Sequence, residues 1–352
     1  MRPLSCDHLI VGAGSTGLAV ADHLLRRDAG SVVLIDRLES PQARIGEGRV
    51  PLLQPLESLE VLLEHARRGH ELYEGWSSWL EKDPDFRRCG ALVVDSGSDA
   101  AEDGLSVDEL QRRWSALGDW QQGGRFDSRS GIVDGQEVLA ALMWRLRKSG
   151  GRFHGGATLE HLEEVENGVH FTTSRREGFA GRVYLCHGAA APFLMTELGV
   201  RHRQRIETLC EFTLGLSGDL PPLIHWPQEK ATLFATESGS VELHLITEPG
   251  ELLPGGNLPT AEVSWSRLSH FRDCWDTQIP GLSAAVIRKA RARYRRSCHE
   301  SSLEVVSSAQ GRILMPGAAG VHQDLLFPSL SEAVVEQTLS GFTGGLLEDL
   351  EG

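Results

Sequence analysis

Residues 8–36 restrict the fold of this chain more tightly than any other stretch. The apolar run His8-Leu9-Ile10-Val11 leads into Gly12-Ala13-Gly14-Ser15-Thr16-Gly17, and residues 18–27 then repeat apolar side chains at helical spacing. A second run, Ser31-Val32-Val33-Leu34-Ile35, is β-branched and apolar and ends on Asp36, nineteen residues after Gly17. Strand, glycine turn, helix, strand and acid in that order make the βαβ fingerprint of a dinucleotide site. Gly12 permits the tight turn, Gly14 lets backbone approach a pyrophosphate, and Gly17 lets helix and strand pack closely. Ala13, Ser15 and Thr16 complete a loop at a helix N-terminus, where unpaired N–H groups favour phosphate. Asp36, with Arg37 beside it, can accept hydrogen bonds from ribose hydroxyls, and an acid there disfavours a 2′-phosphate. The fingerprint by itself fits both NAD and FAD.

At 352 residues the chain exceeds the ~100–200 of one ordinary domain, so one large domain or two intertwined ones are expected. A formal net charge of −14 repels phosphate backbones at long range, which argues against a nucleic-acid partner. Only Lys82, Lys148, Lys230 and Lys289 are lysines, so most cationic work falls to arginine. Cys6, Cys89, Cys186, Cys210, Cys274 and Cys298 form no CxxC pair, so neither a zinc ribbon nor a redox motif is written and no metal is expected. No apolar signal-peptide core precedes the fingerprint, and nothing approaches the ~18 apolar residues of a membrane span. A cytoplasmic protein acting on a small molecule, with no membrane partner, is the expectation.

Further along, Gly131-Ile132-Val133-Asp134-Gly135 runs into a helical stripe over 136–148 carried by Val138, Leu139, Leu142, Met143 and Leu146. Strand-like pieces follow at 157–162 and 169–173, then Arg182-Val183-Tyr184-Leu185-Cys186-His187-Gly188-Ala189 reads as an apolar strand ending in a glycine turn. Residues 208–216, 232–236 and 241–247 alternate like strands of a β-sheet domain. The pattern predicts a helix over 282–294, a buried strand at Arg312-Ile313-Leu314-Met315-Pro316-Gly317, and a last helix over 331–339. Residues 96–104 read as a solvated loop.

In this order the segments resemble the D-amino-acid oxidase (DAO) family of FAD oxidoreductases, which includes glycine and sarcosine oxidases, and the likeness covers nearly the whole chain. Residues 130–142 look like the family segment before its crossover helix. Residues 182–191 are similar to its second flavin-contacting strand, and 311–321 to the last strand and its glycine-rich loop. The resemblance implies an α/β chain with a Rossmann-like FAD-binding domain in three pieces, 1–80, 136–200 and 300–352. An antiparallel β-sheet substrate domain, 81–135 and 201–299, would be interleaved with it. It implies non-covalent FAD held by the fingerprint residues together with Leu159, Gly188 and Ala189. Gly317, Gly320, Val321, His322, Gln323 and Asp324 would serve the flavin's pyrimidine edge, and Arg44, Glu47, Gly48 and Arg49, around Gly46-Glu47-Gly48-Arg49, its ring. With no second GxGxxG in the chain, the flavin is expected to be reduced by its own substrate.

The implied chemistry is hydride transfer from the carbon beside an amine, with Arg49, His244 and His322 as catalytic candidates and Arg291, Arg293, Arg295 or Arg296 as a carboxylate clamp. Sarcosine-type enzymes activate oxygen with a lysine near a G-x-K-x-G-x-H pattern; here the stretch reads Gly239-Ser240-Val241-Glu242-Leu243-His244 without one. The family's Thr-Pro-Asp-Gly stretch is replaced by residues 301–310. Cys298 lies near the covalent attachment position of sarcosine oxidases, yet a free thiol is the expectation. The rival reading is a flavin monooxygenase of the aromatic-hydroxylase or halogenase group, which Arg44-Ile45-Gly46-Glu47 and Val50-Pro51 also resemble. His187-Gly188 and Ala318, where hydroxylases carry acids, and the missing W-x-W-x-I-P mark argue against it, Trp76 and Trp79 standing in a helical stretch.

Overall fold

The structure is a computed structural model that describes residues 3–40, 49–55, 60–79, 82–83, 85–94, 104–120, 123–236, 239–249, 258–298, 303 and 305–340, with the side chains of 77–79 and 298 left aside. Two large sheets organise it. In the first, Arg152–His154, Val32–Ile35, Leu4–Val11, Glu177–Leu185 and Ile313–Met315 are parallel neighbours in that order. Val32–Ile35 and Ile313–Met315 are unbroken, fully buried apolar runs because both faces are covered. Ile10, Leu34 and Tyr184 pack beneath helices Ser15–Arg26 and Gly135–Lys148, while Leu9, Val33 and Val183 meet Leu162 and Phe171 of an antiparallel extension. Asp134 starts the helix Gly135–Lys148 by accepting the Gln136 and Glu137 N–H groups at 2.9 and 3.1 Å. Helix Ser15–Arg26 starts at Gly14 with no side-chain cap.

The second sheet runs in the order Val286–Cys298, Gln204–Gly215, Val241–Thr247, Ala231–Ala235, Leu223–Trp226, Ala91–Val94, Gly124–Asp127, Gly104–Leu105. Strand alternation gives it two unlike faces. Cys210, Phe212, Leu214, Leu243, Leu245 and Trp226 pack under helix Trp265–Trp275 through Leu268, Phe271 and Trp275. The opposite face carries charge. A small third sheet of Arg49–Leu52, Gly131–Asp134 and Arg87–Arg88 lies apart from both ladders. No helix among the described residues is long and apolar enough to cross a membrane.

The helix expected over 282–294 is a strand, Val286–Cys298, paired along its length with Gln204–Gly215. Alanine, lysine and arginine favour helices, but here Ala290 and Ala292 join the apolar face and Arg291, Arg293 and Arg295 alternate to the other, so tertiary pairing overrides propensity. The last helix is also longer than expected, spanning Gln323–Leu339 straight through Pro328. A proline there removes the N–H that would bond the Asp324 carbonyl four residues back. The Tyr73 hydroxyl, from helix Glu60–Trp79, donates to that carbonyl at 2.6 Å and repairs the gap.

Helices Ser15–Arg26, Glu60–Trp79 and Gln323–Leu339 are clamped by Glu332, which accepts from Arg68 at 2.6 and 2.9 Å and from Arg27 at 3.3 Å. Burial raises the Glu332 pKa, but Arg68, His23 and Arg27 outweigh it and hold the carboxyl down at about 2, from 4.5. A depressed folded-state pKa stabilises above the unfolded value. Glu332→Gln should therefore cost about 1–2 kcal/mol near neutrality, a discounted figure for a partly solvated network. In denaturant titrations the difference from the parent should shrink as pH falls from 4.5 through about 2; a gap independent of pH would show that charge is not the cause.

Candidate active site

Parallel strands deliver their loops to one edge, and the crevice outside their carboxyl ends is where such sheets bind ligands. Strand Leu4–Val11 ends there in Gly12-Ala13-Gly14, Val32–Ile35 in Asp36-Arg37, Glu177–Leu185 in the 3-10 turn Gly188–Ala190, and Ile313–Met315 in the loop that holds the turn Gly320–His322. Strand Arg152–His154 leads to Ala157, whose N–H donates to the Asp36 carbonyl at 2.8 Å, two residues before Leu159. The edge thus gathers Gly12, Ala13, Gly14, Ser15, Thr16, Gly17, Asp36, Arg37, Leu159, Gly188, Ala189, Gly317, Gly320, Val321, His322, Gln323 and Asp324. Arg44, Glu47 and Gly48 lie outside the described residues.

The three fingerprint glycines have distinct surroundings. Gly12 has φ +105°, and a Cβ on it would sit 2.6 Å from the Cys186 carbonyl oxygen; one on Gly17 would sit 1.9 Å from the Gly12 oxygen. A Cβ on Gly14 would meet nothing within 4 Å beyond its chain neighbours. Two glycines therefore serve packing and the third faces open space at an uncapped helix N-terminus, a cradle that a side chain would fill. Asp36 is fixed by the Ala13 N–H on Oδ2 at 2.7 Å and the Leu38 N–H on Oδ1 at 2.8 Å, with lone pairs remaining for ribose hydroxyls. These residues fit FAD.

The end of the second sheet closes on this edge, Arg296 and Gln204 from the parity of Ala290 and Ala292 and Arg295 from the charged one. Arg296 Nη1 and Gln204 Nε2 donate to the Pro316 carbonyl at 3.0 and 3.3 Å, and a Cβ on Gly320 would lie 3.9 Å from Arg295 Nη2. On the charged face Glu211 is only 2 % exposed. Register places Arg291 on one side of Glu211 and His244 on the other. Arg291 Nε lies 2.5 Å and Arg293 Nε 3.3 Å from its carboxylate, with His244 Nε2 at 3.7 Å. Burial raises the Glu211 pKa, but Arg293, His244 and Arg291 outweigh it and keep the carboxyl below its ordinary range. Burial pushes His244 down to about 4 against the pull of Glu211, so the imidazole is neutral at physiological pH. Arg291 Nη2 is buried without a hydrogen-bond partner.

Beside this cluster Arg295 is held by Glu207 at 3.0 and 3.2 Å. His322 Nδ1 lies 2.9 Å from the Leu53 carbonyl, which can only accept, so this nitrogen carries the proton and Nε2 the lone pair. Burial holds His322 near 4 as well. Arg49 opens the strand Arg49–Leu52 and is paired with Asp85 at 2.6 Å, so this candidate already has an anion of its own. Cys298 ends the long strand, and its side chain is outside the described set. Sequence reading missed Glu207 and Glu211; an acid inside the apolar run Leu209-Cys210-Glu211-Phe212 was the available signal.

The sequence model of the DAO family, described as FAD dependent oxidoreductase, matches residues 7–328. Monomeric sarcosine oxidase of Streptomyces avermitilis is 26% identical over 211 residues, 55% of this chain and 54% of that protein, so the match spans about half of the relative's length. Among solved structures, NikD, an unusual amino acid oxidase essential for nikkomycin biosynthesis, superposes with a TM-score of 0.80 at 16% identity, covering 97% of this chain and 95% of NikD. Glycine oxidase from Geobacillus kaustophilus gives 0.80 at 14% identity, covering 96% and 95%. L-Amino acid deaminase from Proteus myxofaciens gives 0.77 at 15%, covering 97% and 92%. At these identities the superpositions establish the shared fold.

Proposed function

This chain belongs to the DAO family of FAD-dependent oxidoreductases, and from that premise we propose that it oxidises the C–N bond of a small amino acid or carboxylate-bearing amine. Bound FAD supplies the hydride acceptor. The observation that carries the substrate reading is the Glu211 cluster. Glu211 engages Arg291 and Arg293 through Nε, which sets the planes of both guanidinium groups, and Arg291 keeps a buried Nη2 without a partner. That nitrogen is suited to a carboxylate oxygen, since a buried cationic donor left unpaired is costly and a charge-assisted bond strong.

The same wall acts on the substrate nitrogen. The neutral His322 offers a lone pair to an amine N–H, apart from the arginines, whose charges Glu211 and Glu207 already pair. Hydride departure needs the substrate nitrogen's own lone pair, which this contact through the N–H leaves free. No lysine lies on Val241–Thr247, and Lys289, on the same face of the long strand, is exposed, so reoxidation by oxygen is expected to be slow. Its charge of −14 disfavours a nucleic-acid partner, in keeping with an enzyme of small molecules, and its six cysteines without a CxxC pair accord with a cytoplasmic location.

Arg291→Met tests the clamp. Losing this charge-assisted contact should raise the Kd for carboxylate substrates, read from anaerobic flavin reduction, on the order of 100-fold. The matched amine lacking the carboxylate should be oxidised as by the parent. Equal losses for both compounds would contradict the assignment.

A further inference from the structure

We propose that the side-chain amide of Gln323 is the donor with which this chain meets the pyrimidine edge of its flavin, an inference that rests on the FAD reading above. Gln323 is the first residue of the helix Gln323–Leu339, which begins at the same edge as Gly14. Three donors of the loop before it are spent internally. The Ala319 N–H goes to Gln323 Oε1 at 2.8 Å, the His322 N–H to the Ala319 carbonyl at 3.0 Å, and His322 Nδ1–H to the Leu53 carbonyl at 2.9 Å.

The first of these bonds fixes the amide. Turning it over would set an NH2 against the Ala319 N–H, donor against donor, so the oxygen must face Ala319. Nε2 is then buried with no acceptor among the described residues, a costly state for a polar donor. A ligand acceptor is the missing partner. The neighbouring Asp324 sharpens the need. It places a carboxyl in the first helical turn, within electrostatic reach of Arg293 and Arg295, where an anion weakens the helix terminus as a site for further negative charge. Reduction adds negative charge to the flavin's pyrimidine side, and a fixed neutral donor there stabilises the reduced form.

Gln323→Glu in the holoenzyme separates this role from a structural one, because the carboxylate keeps an oxygen for the Ala319 N–H and the same length but has no donor. Sulfite, which adds to oxidised flavin and leaves the same negative charge, is the probe. The expected result is a Kd for sulfite raised about tenfold or more and a lowered flavin midpoint potential, with flavin content and unfolding midpoint unchanged. Gln323→Met, which removes the donor without adding charge, should shift both readouts in the same direction, and it decides the matter should the glutamate variant shed its flavin. Parental sulfite affinity and potential in flavin-bearing variants would overturn the proposal. A parent protein that binds no flavin would instead refute the FAD reading itself.

Discussion

Gly14→Val should purify as a folded, colourless protein. This is the largest effect expected of any single substitution, and its cause is the empty space around that residue. With nothing beyond its chain neighbours within 4 Å of a Cβ there, the valine Cβ forces no protein atom aside, so the sheet and the helix Ser15–Arg26 should stand. The isopropyl group occupies the place where backbone N–H groups must reach a pyrophosphate. Unfolding of the apo forms should be nearly identical, the comparison being made without flavin because bound ligand adds its own stabilisation. Gly17→Val is the control with the opposite signature. Its first side-chain carbon would lie 1.9 Å from the Gly12 oxygen, so the helix must leave the strand and soluble protein is lost. A Gly14→Val protein that retains stoichiometric FAD would refute the fingerprint assignment, and one that aggregates like Gly17→Val would refute the account of the space.

Glu211→Ala comes next in size. It leaves the Arg291 and Arg293 guanidinium groups facing each other in a buried site without their shared anion. Removing one partner of a buried ion cluster costs about 3–5 kcal/mol, because the remaining charges stay desolvated and uncompensated. For a chain of this size the thermal midpoint should fall by on the order of 10 °C. A carboxylate ligand replaces the missing anion, so acetate or a substrate acid should restore more stability to the variant than to the parent. A midpoint within about 2 °C of the parent's would mean that water already solvates the cluster.

These two sites also show what a sequence can disclose. The fingerprint is local: Gly12, Gly14, Gly17 and Asp36 stand at spacings fixed by one turn, one helix and one strand, so their roles could be read before any fold was known. The Glu211 cluster joins residues 80 positions apart, and only the register of Gln204–Gly215 against Val286–Cys298 makes Arg291 its neighbour. The arginine run was visible as a candidate clamp, but its setting was hidden by a helical reading of 282–294 that alanine-rich composition encourages. Its alternation, with Ala290 and Ala292 turned one way and Arg291 and Arg293 the other, is the strand signal that should have prevailed. Gln323 was visible as part of a glycine-rich loop, whereas the orphaned nitrogen depends on a bond to Ala319 that spacing does not reveal.

Anaerobic reduction of the bound flavin is the most direct test of the central claim. Purified protein should carry FAD that leaves on acid precipitation, and its visible absorbance should bleach on addition of a small amino acid or carboxylate-bearing amine with no NAD(P)H present. Bleaching by NAD(P)H alone, with every amine and amino acid inert, would contradict the account and favour a flavin monooxygenase.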